Sequence, residues 1–135
     1  MYTCSGGCHC GRVKFEVKVP GAITAQRCNC SICQKSGYLH LIVAANYFKL
    51  LGGEESLTDY CFHTGVARHL FCKHCGIKSF YVPRSHPDSF SVNLNCVDLP
   101  AEVEVTVGVF DGRNWGENRE KLGTAISGEA GSDKA

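Results

Sequence analysis

The sequence predicts a mainly β domain with little helix, and three observations carry that reading. Residues 12–19 alternate, with Val13, Phe15, Val17 and Val19 set against Arg12, Lys14, Glu16 and Lys18. A period of two leaves one face to bury. Short apolar runs recur between the turn signals Pro20-Gly21, Gly52-Gly53, Thr64-Gly65 and Pro83. Helical patterning is scarce.

The strand at 12–19 ends where Pro20-Gly21 stops it. Further strands are expected at residues 38–44, 59–63, 67–71, 79–82, 89–94 and 102–109. The last alternates again, with Val103, Val105 and Val107 on one side. One helical turn is expected at 31–35, with Cys30 and Cys33 at its start, where backbone N–H groups favour thiolate over thiol. A second short helix is expected at 115–122, weakened by Gly116. From residue 123 the chain is Gly, Ala, Ser and charge with one Ile. The expected organisation is one domain over 1–122 and a disordered tail over 123–135.

A chain of 135 residues, 44% hydrophobic and 20% charged, has the size and composition of a soluble domain with a real core. Fourteen basic against thirteen acidic side chains leave a net charge of +1. Without a basic stripe, a nucleic-acid partner is not expected. The first residues, Met-Tyr-Thr-Cys-Ser-Gly-Gly, lack the basic and apolar regions of a signal peptide. The longest apolar run, near 41–45, is far too short to cross a membrane. A cytoplasmic protein with reduced thiols is therefore expected.

Ten cysteines dominate the chemistry, seven of them in three tight clusters. Cys8 and Cys10 flank His9, Cys28, Cys30 and Cys33 fall within six residues, and Cys72 and Cys75 form a Cys-x-x-Cys pair. Thiolates so close in sequence converge readily on one soft cation, and zinc is the usual redox-silent one. A Cys-x-Cys pair meets disulfide geometry poorly. Cys8, Cys10, Cys72 and Cys75 together make a closed four-thiolate set, the arrangement of structural zinc. Gly11 and Gly76 follow the pairs and permit the tight turns such loops need. Cys28, Cys30 and Cys33 are odd in number. Three protein ligands with one open position describe a catalytic zinc, whereas a fourth ligand from Cys4, Cys61, Cys96 or a histidine would make the site structural.

The segments Gly7-Cys8-His9-Cys10-Gly11-Arg12-Val13-Lys14-Phe15, Cys28-Asn29-Cys30-Ser31-Ile32-Cys33 and Phe71-Cys72-Lys73-His74-Cys75-Gly76 carry a family resemblance. In order and spacing the chain resembles the glutathione-dependent formaldehyde-activating enzyme family, which also includes centromere protein V. Phe110-Asp111-Gly112-Arg113-Asn114-Trp115 looks like that family's C-terminal signature. The resemblance implies several coiled antiparallel β-sheets around two zinc ions per chain. Cys8, Cys10, Cys72 and Cys75 would hold the structural ion, and Cys28, Cys30 and Cys33 the catalytic one. It implies a carbon–sulfur lyase that joins glutathione and formaldehyde to give S-hydroxymethylglutathione, or a related thiol–aldehyde reaction. The alternative it allows is a non-catalytic zinc module for a protein or nucleic-acid partner. A thiol redox role for Cys72 and Cys75 is disfavoured, because zinc would keep the pair redox-quiet.

The carboxylates of glutathione would need cationic partners, for which Arg27, Lys35, Arg68, Lys73 and Arg113 are candidates. His9 and His74 are expected to face solvent. His40 is a candidate proton carrier, set against a satisfied core or surface histidine. His63, His69 and His86 read as strand or loop residues. Cys4, Cys61 and Cys96 are expected as small buried thiols, Trp115 as a packing anchor and Asp98 as a turn residue.

Overall fold

A computed structural model describes residues 1–61, 68–83 and 88–111. The helix expected at 115–122, the tail at 123–135, Arg113, Trp115, His63 and His86 lie outside the described residues.

The alternating segment forms strand β2 (Lys14–Val19), and its register explains the core. Phe15, Val17 and Val19 are fully buried, as is Val13 just before the strand, while Lys14 and Lys18 face solvent. β2 lies between β1 (Tyr2–Gly7) and β5 (Phe48–Gly52) in a three-stranded antiparallel sheet. Gly53 closes that sheet's end with φ of +89°, and a Cβ there would stand 2.1 Å from the Arg12 carbonyl oxygen. Only glycine fits such a left-handed, crowded position. The Gly52-Gly53 turn signal thus reports a real backbone constraint.

A second sheet runs β10-β3-β4-β9-β8, from β3 (Ala22–Cys28), β4 (Leu39–Ala44), β8 (Phe80–Tyr81), β9 (Ser89–Asn93) and β10 (Glu104–Phe110). β4 is its central strand, and its first five residues are all buried. Alternate side chains on it point to opposite faces. Leu39, Leu41 and Val43 join the main core with Phe15, Val17, Ala25 and Val92. Phe15 meets Phe48 at 5.2 Å and Phe80 edge-on at 5.9 Å, a geometry aromatic rings favour. His40 and Ile42 face the other way, paired with Asn93 and Ser91 on β9. That second face, capped by Tyr38 and the short helix α1 (Ser31–Ser36), carries the polar cluster described below.

A separate hairpin joins β6 (Leu57–Tyr60) and β7 (His69–Cys72). The mainly β class and the several antiparallel sheets agree with the sequence. One pairing differs: β10 runs parallel to β3, from Glu104 opposite Ala22 to Phe110 opposite Cys28. It is an edge strand, so the alternation at 102–109 does not mark a buried face. Val103 is buried before the strand starts, but Val105 and Val107 are exposed. Strands β1, β3 and β5 were not expected from the sequence.

Candidate metal centres

Cys8 and Cys10 lie in the loop from β1 to β2, while Cys72 ends β7 and Cys75 sits in the turn that follows. Backbone bonds fix both loops. Cys8 N–H donates to Val13 O at 3.1 Å, Cys72 N–H to Ile77 O at 3.1 Å and Gly76 N–H to Cys72 O at 2.8 Å. Gly11 and Gly76 both take positive φ, as the two tight turns require. The four Sγ atoms lie within 4.8 Å of one another. Cys8 to Cys10 is 3.6 Å and Cys10 to Cys72 is 3.7 Å. A tetrahedral ion about 2.3 Å from each sulfur would set neighbouring sulfurs about 3.8 Å apart, so this donor set fits zinc. The thiol of Cys10 is drawn down to about 6, first by the backbone N–H of Arg12 and then by its side chain.

The second cluster gathers at the start of α1. Cys28 ends β3, Cys30 is the residue before the helix and Cys33 is buried within it. The parallel β10 helps to hold this corner, where Asn29 N–H donates to Phe110 O at 3.3 Å and Asn29 Nδ2 to Asp111 Oδ1 at 3.1 Å. Cys28, Cys33 and His40 bring their ligand atoms within 4.8 Å of one another. Cys30 lies alongside: its N–H donates to Cys28 Sγ at 3.4 Å, and hydrogen bonds with the Cys28 and Cys33 thiols hold its own thiol low. Hydrogen bonds with the Cys28 and then the Cys30 thiol, and after them burial, push the Cys33 thiol up. Soft sulfur and imidazole donors packed this closely suit zinc.

His40 is buried, with Nε2 2.9 Å from Cys33 Sγ and Nδ1 3.0 Å from Ser91 Oγ and 3.2 Å from Tyr81 Oη. Burial pushes its pKa down to about 3, with the charge of Lys78 acting in the same direction. Tyr38 covers the imidazole at 4.6 Å between centroids and donates its hydroxyl to Ser91 O at 2.7 Å. Lys78, which sequence reasoning passed over, lies half-buried against this same wall. Its Nζ lies 2.7 Å from His69 Nδ1 and 3.9 Å from the centre of the Tyr81 ring. Burial pushes the lysine down to about 8.

The other sequence candidates lie elsewhere. Arg27, Lys35 and Lys73 are exposed, and Arg68 pairs with Asp59 at 3.0 Å on the surface. His9 and His74 are exposed, as expected. Cys4 is buried in the core, Cys96 is half-buried, and Cys61 is exposed rather than buried. Exposed Asp98 donates its N–H to Ser5 O at 2.8 Å, in keeping with a turn residue.

Two cysteine-rich clusters on a mainly β scaffold define a protein equipped to hold metal ions. Residues 3–113 match the family described as glutathione-dependent formaldehyde-activating enzyme, and the chain belongs to that family. It is 52% identical over 79 residues to a Halomonas elongata protein named "Putative glutathione-dependent formaldehyde-activating enzyme". That match takes in 52% of this chain and 50% of the relative, so the chain spans about half the length of that protein. A crystal structure of a Rhodobacter sphaeroides protein is similar at a TM-score of 0.66 and 34% identity, over 77% of this chain and 98% of that one.

Proposed function

We propose that this chain is a zinc-dependent carbon–sulfur lyase for thiol–aldehyde adducts, joining glutathione and formaldehyde to give S-hydroxymethylglutathione or running a close relative of that reaction. Family membership supplies the substrate class. The observation that carries the reading is the contrast between the two clusters. Cys8, Cys10, Cys72 and Cys75 form a complete four-sulfur set, which we assign to structural zinc. In the second cluster the ligand atoms within 4.8 Å of one another belong to Cys28, Cys33 and His40, with Cys30 alongside. We assign the ion there to Cys28, Cys30 and Cys33, His40 Nε2 being taken up by Cys33 Sγ, which leaves a position for substrate. Zinc bound there would supply Lewis acidity, favouring a substrate thiol as its thiolate or polarising an aldehyde oxygen.

The chain's own residues then act as follows. Cys28, Cys30 and Cys33 are the ligands. Ser91 and Tyr81 anchor His40 from its Nδ1 side, which fixes the ring and keeps Nε2 on Cys33. Tyr38 and Tyr81 wall the inner side of the cluster and exclude water there. A reducing compartment, the cytoplasm, suits ten unpaired thiols. The test is adduct exchange between glutathione and formaldehyde, followed by NMR with zinc-loaded protein. Exchange accelerated by wild type and not by Cys30→Ala supports the activity, and equal rates for the two contradict it.

A further inference from the structure

Strand β10 pairs with β3 on one side, and among the described residues no strand lies on its other side. Glu104 N–H donates to Gly21 O at 2.8 Å, and Phe110 O accepts from Asn29 N–H at 3.3 Å. In a parallel ladder the residues alternate, so Glu104, Thr106, Gly108 and Phe110 turn their backbone groups toward β3, and Val105, Val107 and Val109 turn theirs outward. Val105 and Val107 share a sheet face with their register partners Ile23 and Ala25, which are buried in the core. The core stops short of the valines: all three are exposed, Val109 at 81%. Sheet edges are normally guarded by charge, proline, a bulge or shortness. The opposite edge of this sheet is guarded, since β8 is two residues long and Pro83 follows it closely. β10 runs seven residues in unbroken register without proline, lysine or arginine, and its one charge, Glu104, stands at its start.

We propose that this edge pairs with the β10 edge of a second copy of the chain, antiparallel about a two-fold axis at Val107. The strand's own pattern selects that partner. Turned about Val107, Val105 meets Val109 of the second copy, Val107 meets its counterpart, and Val109 meets Val105. Residues opposite each other in such a pair exchange both of their hydrogen bonds, so every outward N–H and C=O finds an outward partner. A two-fold interface is self-complementary in this way. The valines of both copies fall on one face of the joined sheet, where β-branched side chains pack across strands. On the other face Glu104 stands opposite Phe110, and no like charges oppose each other. No metal ligand takes part in the pairing. One strand pair is a small interface, so the association is weak and concentration-dependent.

The test is sedimentation velocity on the full-length, metal-replete chain from micromolar to near-millimolar concentration, beside hydrogen–deuterium exchange of residues 104–110 at both ends of that range. Wild type is expected to pass from monomer to dimer, with exchange in 104–110 slowing as the dimer forms. Val107→Lys sets two lysines opposite each other across the axis and should raise the dissociation constant by about tenfold. Val107→Ile keeps the apolar contact and should dimerise as wild type does. Should Val107→Lys not fold, Val109→Lys, at the most exposed of the three valines, is judged by the same readings. Wild type that stays monomeric throughout overturns the proposal, whether 104–110 exchanges freely or is protected by the chain's own residues 112–135. A dimer that the lysine variant leaves unchanged overturns it as well, because the interface would then lie elsewhere.

Discussion

The Nε2 of His40 lies 2.9 Å from the sulfur of Cys33, although the two residues belong to different elements, a helix and the central strand of a sheet. The contact makes His40 part of the second cluster. His40→Ala should weaken metal binding there by about ten- to a hundredfold, the usual cost of removing a group that orients a ligand. Stepwise chelator titration checks this. One release step should move to lower chelator concentration, and the step belonging to Cys8, Cys10, Cys72 and Cys75 should stay put.

Cys72 is fully buried and joins the β6–β7 hairpin to the loop before β2. Removing it opens the four-sulfur set. Structural zinc contributes on the order of 10–16 kcal/mol of apparent free energy in small peptides, and even a fraction of that rivals the stability of a domain. Cys72→Ala should therefore lower the thermal midpoint sharply and lose one ion per chain. Calorimetry beside metal analysis would show it; a wild-type midpoint with one ion missing would contradict a structural role.

Acid should destabilise the fold through its buried imidazoles. His40 is pushed down to about 3 and His69 to about 4, burial being the main cause for each. Histidines of the unfolded chain titrate near 6.5. Between those values the unfolded state binds more protons, so stability is full above about pH 6.5 and falls as the pH drops toward 4. His69→Gln removes one such proton. Its urea midpoint should fall less than that of wild type between about pH 7 and pH 5; parallel falls would show that His69 is not held neutral.

Legibility in the sequence followed the range of the contacts involved. β2 was readable because Phe15, Val17 and Val19 announce their face locally, and the four-sulfur centre because each pair of cysteines is adjacent in sequence. β1 and β3 were not: Tyr-Thr-Cys-Ser-Gly-Gly and Ala-Ile-Thr-Ala-Gln-Arg-Cys have weak strand patterns, and pairing with neighbours holds them. β10 was found as a strand, but its parallel partner and exposed valines depend on sheet order. His40 reaches Cys33 because β4 follows α1 and pairs with β3, which ends at Cys28, while its anchor Ser91 comes from β9 and Lys78 meets the Tyr38 and Tyr81 rings beside it. The seven-residue spacing of Cys33 and His40 is local, but the long-range contacts with Ser91, Tyr81 and Lys78 are not encoded by any spacing.

Gly53 offers a test of how the first loop is held. Its φ of +89° and the 2.1 Å approach of a Cβ to the Arg12 oxygen leave no room for a side chain. The left-handed backbone alone costs an L-residue about 1–2 kcal/mol, and the overlap adds to it. Gly53→Ala should lower the urea midpoint clearly, whereas Gly52→Ala, which meets nothing within 4 Å, should not. Equal effects would contradict the assigned constraint.

Zinc content per chain, measured by native mass spectrometry on metal-replete wild type and Cys33→Ala protein, tests the two-centre account most directly. Two ions in wild type falling to one in the variant is the predicted result. A single ion in wild type, two ions kept by the variant, or cystines among these sulfurs would contradict it.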